Sequence, residues 1–238
     1  MVKRNKFRGS HNMNLKKQAA LQAVKYVHSG QRIGLGSGST VSYFIKALGD
    51  LVKSGDLVDI QAVSTSDETS IQAQDSGIPL VDLDHSGNLD ITVDGADEID
   101  PNLNLVKGLG KALLREKIVA AHSNEFVIIA DESKLVSQLG DSVPLPIEVV
   151  EFGIDAQEKW LQNLGCVAEI WRSEDGSMLL SDNGNPFIRC WFKDGIKDPS
   201  TLDKIIKSRV GIIEHGLFLG MATRVIVANM TEVVELTI

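Results

Sequence analysis

Apolar residues recur at roughly helical spacing over LKKQAALQAVKYVHSG, with Ala20, Val24 and Val27 on one face, Asn14 ahead as a cap and Gly30 behind as a stop. A short strand, RIGL, leads straight into GLGSGST, after which VSYFIKALGDLVKSG predicts a second helix closed by glycine. The alternation continues through strand VDIQAV, loop STSDETS, a polar helix through IQAQDSG, a strand around IPLVDL and strand LDITV. Helix KALLREKIVAAHS and the near-continuous apolar run EFVIIAD complete this part. Strands buried on both faces and alternating with helices predict an α/β fold: a doubly wound, mainly parallel sheet.

The pattern changes after about Asp141. VPLPIEVVEF, a helix near DAQEKWLQNLG, and AEIWRSEDGSMLLSDNGNPFIRCWF give antiparallel signals, with Asn183-Gly184 as a hairpin turn. ATRVIVAN then supplies another core strand. The expected organisation is an α/β domain over 14–140 plus 211–238, with a second, smaller α+β domain at 141–210.

Composition narrows the classes. The chain has 238 residues, 43% of them hydrophobic and 24% charged, which is ordinary for a globular protein able to bury a core. No apolar run approaches the ~18 residues of a membrane span. Cys166 and Cys190 form neither a C-x-x-C pair nor a disulfide framework, and the five histidines lie at no ligand-like spacing, so no metal site is expected. The net charge is −8, but residues 1–13 hold Lys3, Arg4, Lys6 and Arg8 with no acid, leaving 20 basic against 32 acidic side chains on the rest. An acidic body argues against a nucleic-acid partner. The arm itself, with Gly9-Ser10-His11 ahead of Met13, reads as disordered or vector-derived sequence, and the cytoplasm is the expected location.

Two loops carry candidate chemistry. GLGSGST (Gly34 to Thr40) can expose several backbone N–H groups where a helix begins, which suits a phosphate; the plain alternative is a glycine turn with Ser39 as a helix N-cap. It is neither the dinucleotide fingerprint nor a Walker loop, because the third glycine position falls on Ser39 or Val41 and no G-K-S/T follows. ITVDGADEID (Ile91 to Asp100) crowds four acidic residues beyond a buried strand; Asp94 and Asp97 could carry raised pKa values suited to proton transfer, or merely cap a helix or turn. Further on, LVKGLGKALLREKIVA places Lys107 before a glycine turn and Glu116 on the next helix. Between Arg115 and Lys117, Glu116 also reads as a solvated helical charge. Lys134 in FVIIADESKLV follows a buried strand and could equally be a surface lysine.

Taken in order, GLGSGST, VDGADE, VKGLGKALLREKIV and IADESK resemble the signature segments of the type A ribose-5-phosphate isomerases, and the resemblance runs from the LKK of the first helix to SDNGNP and GIIEHGLF. It implies a metal-free aldose–ketose isomerase of the pentose phosphate network, needing no cofactor, that interconverts D-ribose 5-phosphate and D-ribulose 5-phosphate through a cis-enediolate. The family's proton-shuttling glutamate matches Glu116, and its acidic and lysine groups match Asp94, Asp97 and Lys107. Substrate binding carries over to Gly36, Ser37, Gly38, Ser39 and Thr40, to Gly108 and Gly110, and to Lys16 and Lys134 as cationic partners of the phosphate. A homodimer or homotetramer is implied as well. Where the family reads K-G-G-G-A-A-L-T-R-E-K, this chain has K-G-L-G-K-A-L-L-R-E-K, so backbone freedom is expected to be reduced at Leu109; serine also stands at Ser37 where threonine is common.

The competing readings are an amino-sugar phosphate deaminase or lactonase, which would favour a histidine within these segments, and a non-catalytic phosphosugar sensor, which would lack Glu116 or Lys107. A dinucleotide oxidoreductase is disfavoured by the missing fingerprint.

Overall fold

The structure, a computed structural model, describes residues 3–8 and 14–237. In chain order the strands are β1 (Lys3–Arg8), β2 (Arg32–Leu35), β3 (Gln61–Ser64), β4 (Leu89–Asp94), β5 (Glu98–Ile99), β6 (Leu105–Val106), β7 (Ser123–Asp131), β8 (Leu145–Val149), β9 (Val167–Ile170), β10 (Phe187–Trp191), β11 (Ile212–His215), β12 (Leu217–Phe218), β13 (Arg224–Ala228) and β14 (Glu232–Thr237). The helices are α1 (Leu15–Val24), α2 (Ser39–Ser54), α3 (Asp67–Asp75), α4 (Leu83–Ser86), α5 (Leu113–Ala121), α6 (Ile154–Gln162) and α7 (Pro199–Lys207). They form two compact units: one holds the chain up to Ala96, Arg115–Lys134 and the chain from Gly220 onward, and the other holds Asp97–Leu114 and Leu135–Leu219.

The first unit is the expected doubly wound α/β sheet, in the order β1-β14-β13-β7-β4-β2-β3. Strands β3, β2, β4, β7 and β13 are parallel, and β14 and β1 close one edge antiparallel. Period-two alternation sends Ile33, Leu35, Ile91, Val93, Val127, Ile129, Ile226 and Ala228 to one face, against the small Ala19, Ala20 and Ala23 of α1 and the larger Phe44, Ile45 and Leu48 of α2. Val63, one residue on from Ala62, faces the other way and clusters with Leu89 and with Val119 of α5. Gly34 permits that packing, because a Cβ there would lie 1.9 Å from Thr92 Oγ1 and 2.7 Å from a Val119 methyl.

A buried polar cluster pins α1 to this sheet. Glu235, 2% exposed, accepts from Gln22 Nε2 at 3.2 Å, from Arg224 Nη1 at 3.0 Å and from the Tyr26 hydroxyl, and the Arg224 guanidinium stacks 4.3 Å from the Tyr26 ring centroid. Burial, with the hydrogen bond to Glu235 and that group's charge, pushes the Tyr26 phenol up to about 12.

The second unit runs β8-α6-β9-β10-α7-β11 with its sheet in the order β11-β8-β10-β9, every neighbour antiparallel; this is the split βαβ arrangement. Leu145, Ile147 and Val149 pack with Ile188, Cys190, Leu161 and Ile206. A three-stranded sheet, β12-β6-β5, belongs to the same unit. Glu98, fully buried, accepts from the backbone N–H groups of Gly140, Ser142 and Val143 and from Ser142 Oγ, fastening the acidic loop to the turn before β8.

Several expectations are corrected. The smaller unit starts with Asp97 rather than at 141, because β12 pairs with β6 and the Val136 N–H bonds Ile99 C=O, drawing 97–114, 135–140 and 211–219 into it. The arm, read as disordered or vector-derived, forms β1 over Lys3–Arg8 along β14, while its other residues lie outside those described. The first helix ends at Val24, short of Gly30. The strand expected around IPLVDL is a single bridge from Leu80 to Ala62, since Pro79 has no N–H for a ladder and α4 begins at Leu83. Among the described residues no helix is long and apolar enough to cross a membrane.

Candidate active site

Five of the glycine loop's residues were expected to bind substrate, and they lie between β2 and the first turn of α2. Gly38, not Ser39, is the N-cap; its φ of 100° belongs to a region glycine enters without strain, and no side chain caps the helix. The first N–H groups of α2 and the positive end of its dipole are therefore left to an anion. Ser39 and Thr40 form the first turn, and Lys16 Nζ, from the start of α1, donates to Ser39 Oγ at 2.8 Å. Lys16, Ser39, Ser42, Tyr43 and Asp131 line one cavity of about 530 Å³.

Ser37 behaves differently from its neighbours. Its hydroxyl turns into a cluster with Thr65 Oγ1 at 2.8 Å, Ser66 Oγ at 2.7 Å and Thr69 Oγ1 at 3.2 Å, so it ties the loop to the start of α3. Its backbone N–H donates to Asp94 Oδ1 at 3.1 Å. The β3–α3 hydroxyls were not singled out in the sequence, although STSDETS follows a strand end as the glycine loop does.

The acidic loop divides its carboxylates. Asp94, fully buried, also accepts the Gly95 N–H at 2.7 Å. Gly36 makes this approach possible: a Cβ there would stand 2.1 Å from Asp94 Cγ. Asp100 caps its own turn through Asn102 and Asn104 N–H groups, each at 2.8 Å, and Glu98 is used as described above. Asp94 thus holds the backbone of the glycine loop as well as its own turn, and Asp97, in the second unit, accepts the Leu109 N–H at 3.0 Å. Among the described residues no group of three or more His, Cys, Asp or Glu side chains is set to hold a metal ion.

Glu116 is not a solvated helical charge. It sits in the first turn of α5 and is 4% exposed, whereas the neighbouring Arg115 reaches outward to Asp67 at 2.8 Å. Lys134 ends a short 3₁₀ turn after β7. That turn is held by Asp131, absent from the expected set. Burial draws the Asp131 carboxyl upward, but hydrogen bonds from the Ser133 hydroxyl and N–H and the charges of Lys134 and Lys16 outweigh it and keep it below the ordinary carboxylate value. Lys16, Ser39, Asp131 and Lys134 thus form one electrostatic group.

In the second unit Lys107 is 2% exposed, its N–H bonded to Gly216 C=O at 2.9 Å and its ammonium 5.5 Å from the Phe218 ring centroid. Gly108 has a φ of 106° and packs so closely that a Cβ would lie 2.7 Å from Leu113 Cβ. Gly110 has open space around it. Leu109 is not among the described residues with positive φ; the left-handed residue of this loop is Lys111, with φ 67°.

Comparison with known proteins agrees with this reading. A family model described as ribose 5-phosphate isomerase A (phosphoriboisomerase A) matches residues 61–232. Ribose-5-phosphate isomerase A of Bacillus mycoides is 46% identical over 94% of this chain and 99% of its own, and the probable ribose-5-phosphate isomerase 3, chloroplastic, of Arabidopsis thaliana is 45% identical over 94% of this chain and 83% of its own. Among solved structures, a D-ribose-5-phosphate isomerase in complex with phospho-erythronic acid superposes with a TM-score of 0.92 at 39% identity, covering 95% of this chain and all of that one. The Plasmodium falciparum ribose 5-phosphate isomerase gives 0.90 at 40% identity, over 94% of this chain and 98% of that one. Motif order, sheet topology and these matches lead to one conclusion: the chain belongs to the ribose 5-phosphate isomerase A family.

Proposed function

We propose that this protein interconverts D-ribose 5-phosphate and D-ribulose 5-phosphate by moving one proton between C1 and C2, with Glu116 as the shuttling base. The observation that carries this role is the withdrawal of the Glu116 carboxylate from water in the first turn of α5. C1 and C2 are adjacent, so a single carboxylate serves both, and burial favours a base poised for transfer. Removing the C2 proton of the open-chain aldose leaves a cis-enediolate; returning the proton to C1, while the O2 hydroxyl proton passes to O1, gives the ketose. Lys107, itself buried, stabilises the oxygen that gains charge, and Asp94 and Asp97 handle the hydroxyls during ring opening.

The phosphate is assigned to the start of α2, with Lys16 and Lys134 as its cations. Binding energy from that remote group positions the reacting carbons. Phospho-erythronic acid, bound by one solved relative, joins a phosphate to a carboxylate, a planar group that spreads negative charge over two oxygens much as an enediolate does. A cytoplasmic homodimer or homotetramer is the proposed working form, and light scattering of the purified protein tests the assembly.

The deciding experiment is isomerisation of ribose 5-phosphate by chelator-treated protein beside Glu116→Gln. A loss of roughly a thousandfold in kcat without a comparable rise in KM supports the shuttle. Activity surviving in Glu116→Gln moves the base elsewhere, and an inactive parent overturns the isomerase reading for this chain.

A further inference from the structure

Of the five histidines, His215 is fully buried and has no part in the chemistry assigned above. Its ring nitrogens are differentiated. Nδ1 accepts the Leu217 N–H at 3.2 Å, which places a lone pair there and the ring proton on Nε2. Nε2 faces Asp203 Oδ1 of α7 at 3.2 Å and Glu214 Oε1 at 3.7 Å. Asp203 is itself 2.8 Å from Lys207 Nζ, and Glu214 Oε1 also accepts the His215 backbone N–H at 2.9 Å.

The segment held by that ring is the one against which Lys107 is built. Gly216 N–H bonds Pro146 C=O at 2.8 Å, and Gly216 C=O accepts the Lys107 N–H at 2.9 Å. Leu217 pairs with Val106 and Phe218 with Leu105, and the Phe218 ring lies 5.5 Å from the Lys107 ammonium. Gly216 leaves no slack, because a Cβ there would stand 2.2 Å from Lys107 O. The turn from β11 into β12 therefore sets both the backbone and the side-chain surroundings of Lys107, and the His215 ring fixes the N–H at its centre.

We propose that His215 is a positioning residue for Lys107, acting through its Nδ1 acceptor on the Leu217 N–H. This rests on the role given to Lys107 in stabilising the enediolate. An ammonium that must meet a developing charge loses most of its effect when displaced by about an ångström, while its net attraction for the bound substrate changes less. The effect belongs in kcat.

The test uses the full-length protein with His215→Leu, His215→Asn and Lys107→Met. Asparagine places Oδ1 near the position of Nδ1 and keeps the acceptor; leucine keeps bulk alone. His215→Leu is expected to lose about tenfold in kcat with KM within twofold, and His215→Asn to recover most of that loss. Unchanged kcat in His215→Leu, or equal losses in both variants, overturns the proposal. Nitrogen NMR of the histidine-labelled parent reads the tautomer even if a variant fails to fold: a bare Nδ1 with a protonated Nε2 is expected, and the reverse overturns it. Lys107→Met separates the two levels, since full activity there removes the role of Lys107, whereas inactivity there beside an unaffected His215→Leu removes only that of His215.

Discussion

Lys16 Nζ donates to Ser39 Oγ at 2.8 Å, joining the first turn of α1 to the first turn of α2. The contact places an ammonium beside the uncapped N-terminus of a helix, where charge and backbone dipole would both favour the phosphate proposed above. Lys16→Met keeps most of the aliphatic stem and removes the charge. It is expected to raise KM for ribose 5-phosphate by roughly ten- to a hundredfold and to leave the slow reaction of unphosphorylated D-ribose unchanged. Equal losses on both sugars in steady-state assays would count against a phosphate role.

Gly36 and Gly95 flank the same carboxylate with different tolerances. A Cβ on Gly36 would meet Asp94 Cγ at 2.1 Å, whereas one on Gly95 would find its nearest neighbour, Ser37 O, at 3.9 Å. Gly36→Ala is expected to cost about 1–3 kcal/mol and to lower kcat by displacing Asp94, while Gly95→Ala leaves the fold within about 0.5 kcal/mol. Urea denaturation with activity assays on both variants checks the contrast; equal behaviour would mean that Asp94 has room to move.

Much of this arrangement was legible in the sequence because strand and helix periods coincide with burial. Ile33, Leu35, Ile91 and Val93 announce a core, and glycine and acidic loops placed after such strands announce a ligand. The smaller unit's boundary was not legible, since the pairing of Leu217–Phe218 with Leu105–Val106 joins segments that no local pattern connects. Glu116 shows the same limit from the other side: its neighbours Arg115 and Lys117 suggest a wet helix face, and only tertiary packing withdraws it from water. Asp131 was missed because its hold on the Lys134 turn appears only once Ser133 folds back onto it.

The K-G-L-G-K loop departs from its family's pattern at Leu109 and Lys111, with opposite consequences. Lys111 occupies φ 67°, where a side chain is strained, and Leu109 is not among the described residues with positive φ. Lys111→Gly is expected to stabilise the protein by about 0.5–1 kcal/mol, and Leu109→Gly to destabilise it by a similar amount through the entropy of the unfolded chain. Thermal melts of the two variants decide this, and a loss of stability in Lys111→Gly would show that its side-chain contacts outweigh the strain.

Tyr26 makes the stability of the α1 anchor depend on alkaline pH. Its folded-state pKa is about 12 against an ordinary 10.0, so the native protein favours the neutral phenol more than the unfolded chain does. A group whose pKa is raised on folding contributes fully below its unfolded value, and that contribution is lost as pH climbs from about 10 toward 12. Because the ring is only partly buried, the loss is about 1 kcal/mol rather than the full value of the shift. Tyr26→Phe lacks both the phenolate and the hydrogen bond to Glu235, so it should be less stable than the parent at pH 8 and should close part of that gap by pH 11. Urea midpoints at the two pH values give the comparison; a gap that stays constant would mean that Tyr26 titrates alike in both states and that the cluster with Glu235 and Arg224 does not hold its proton.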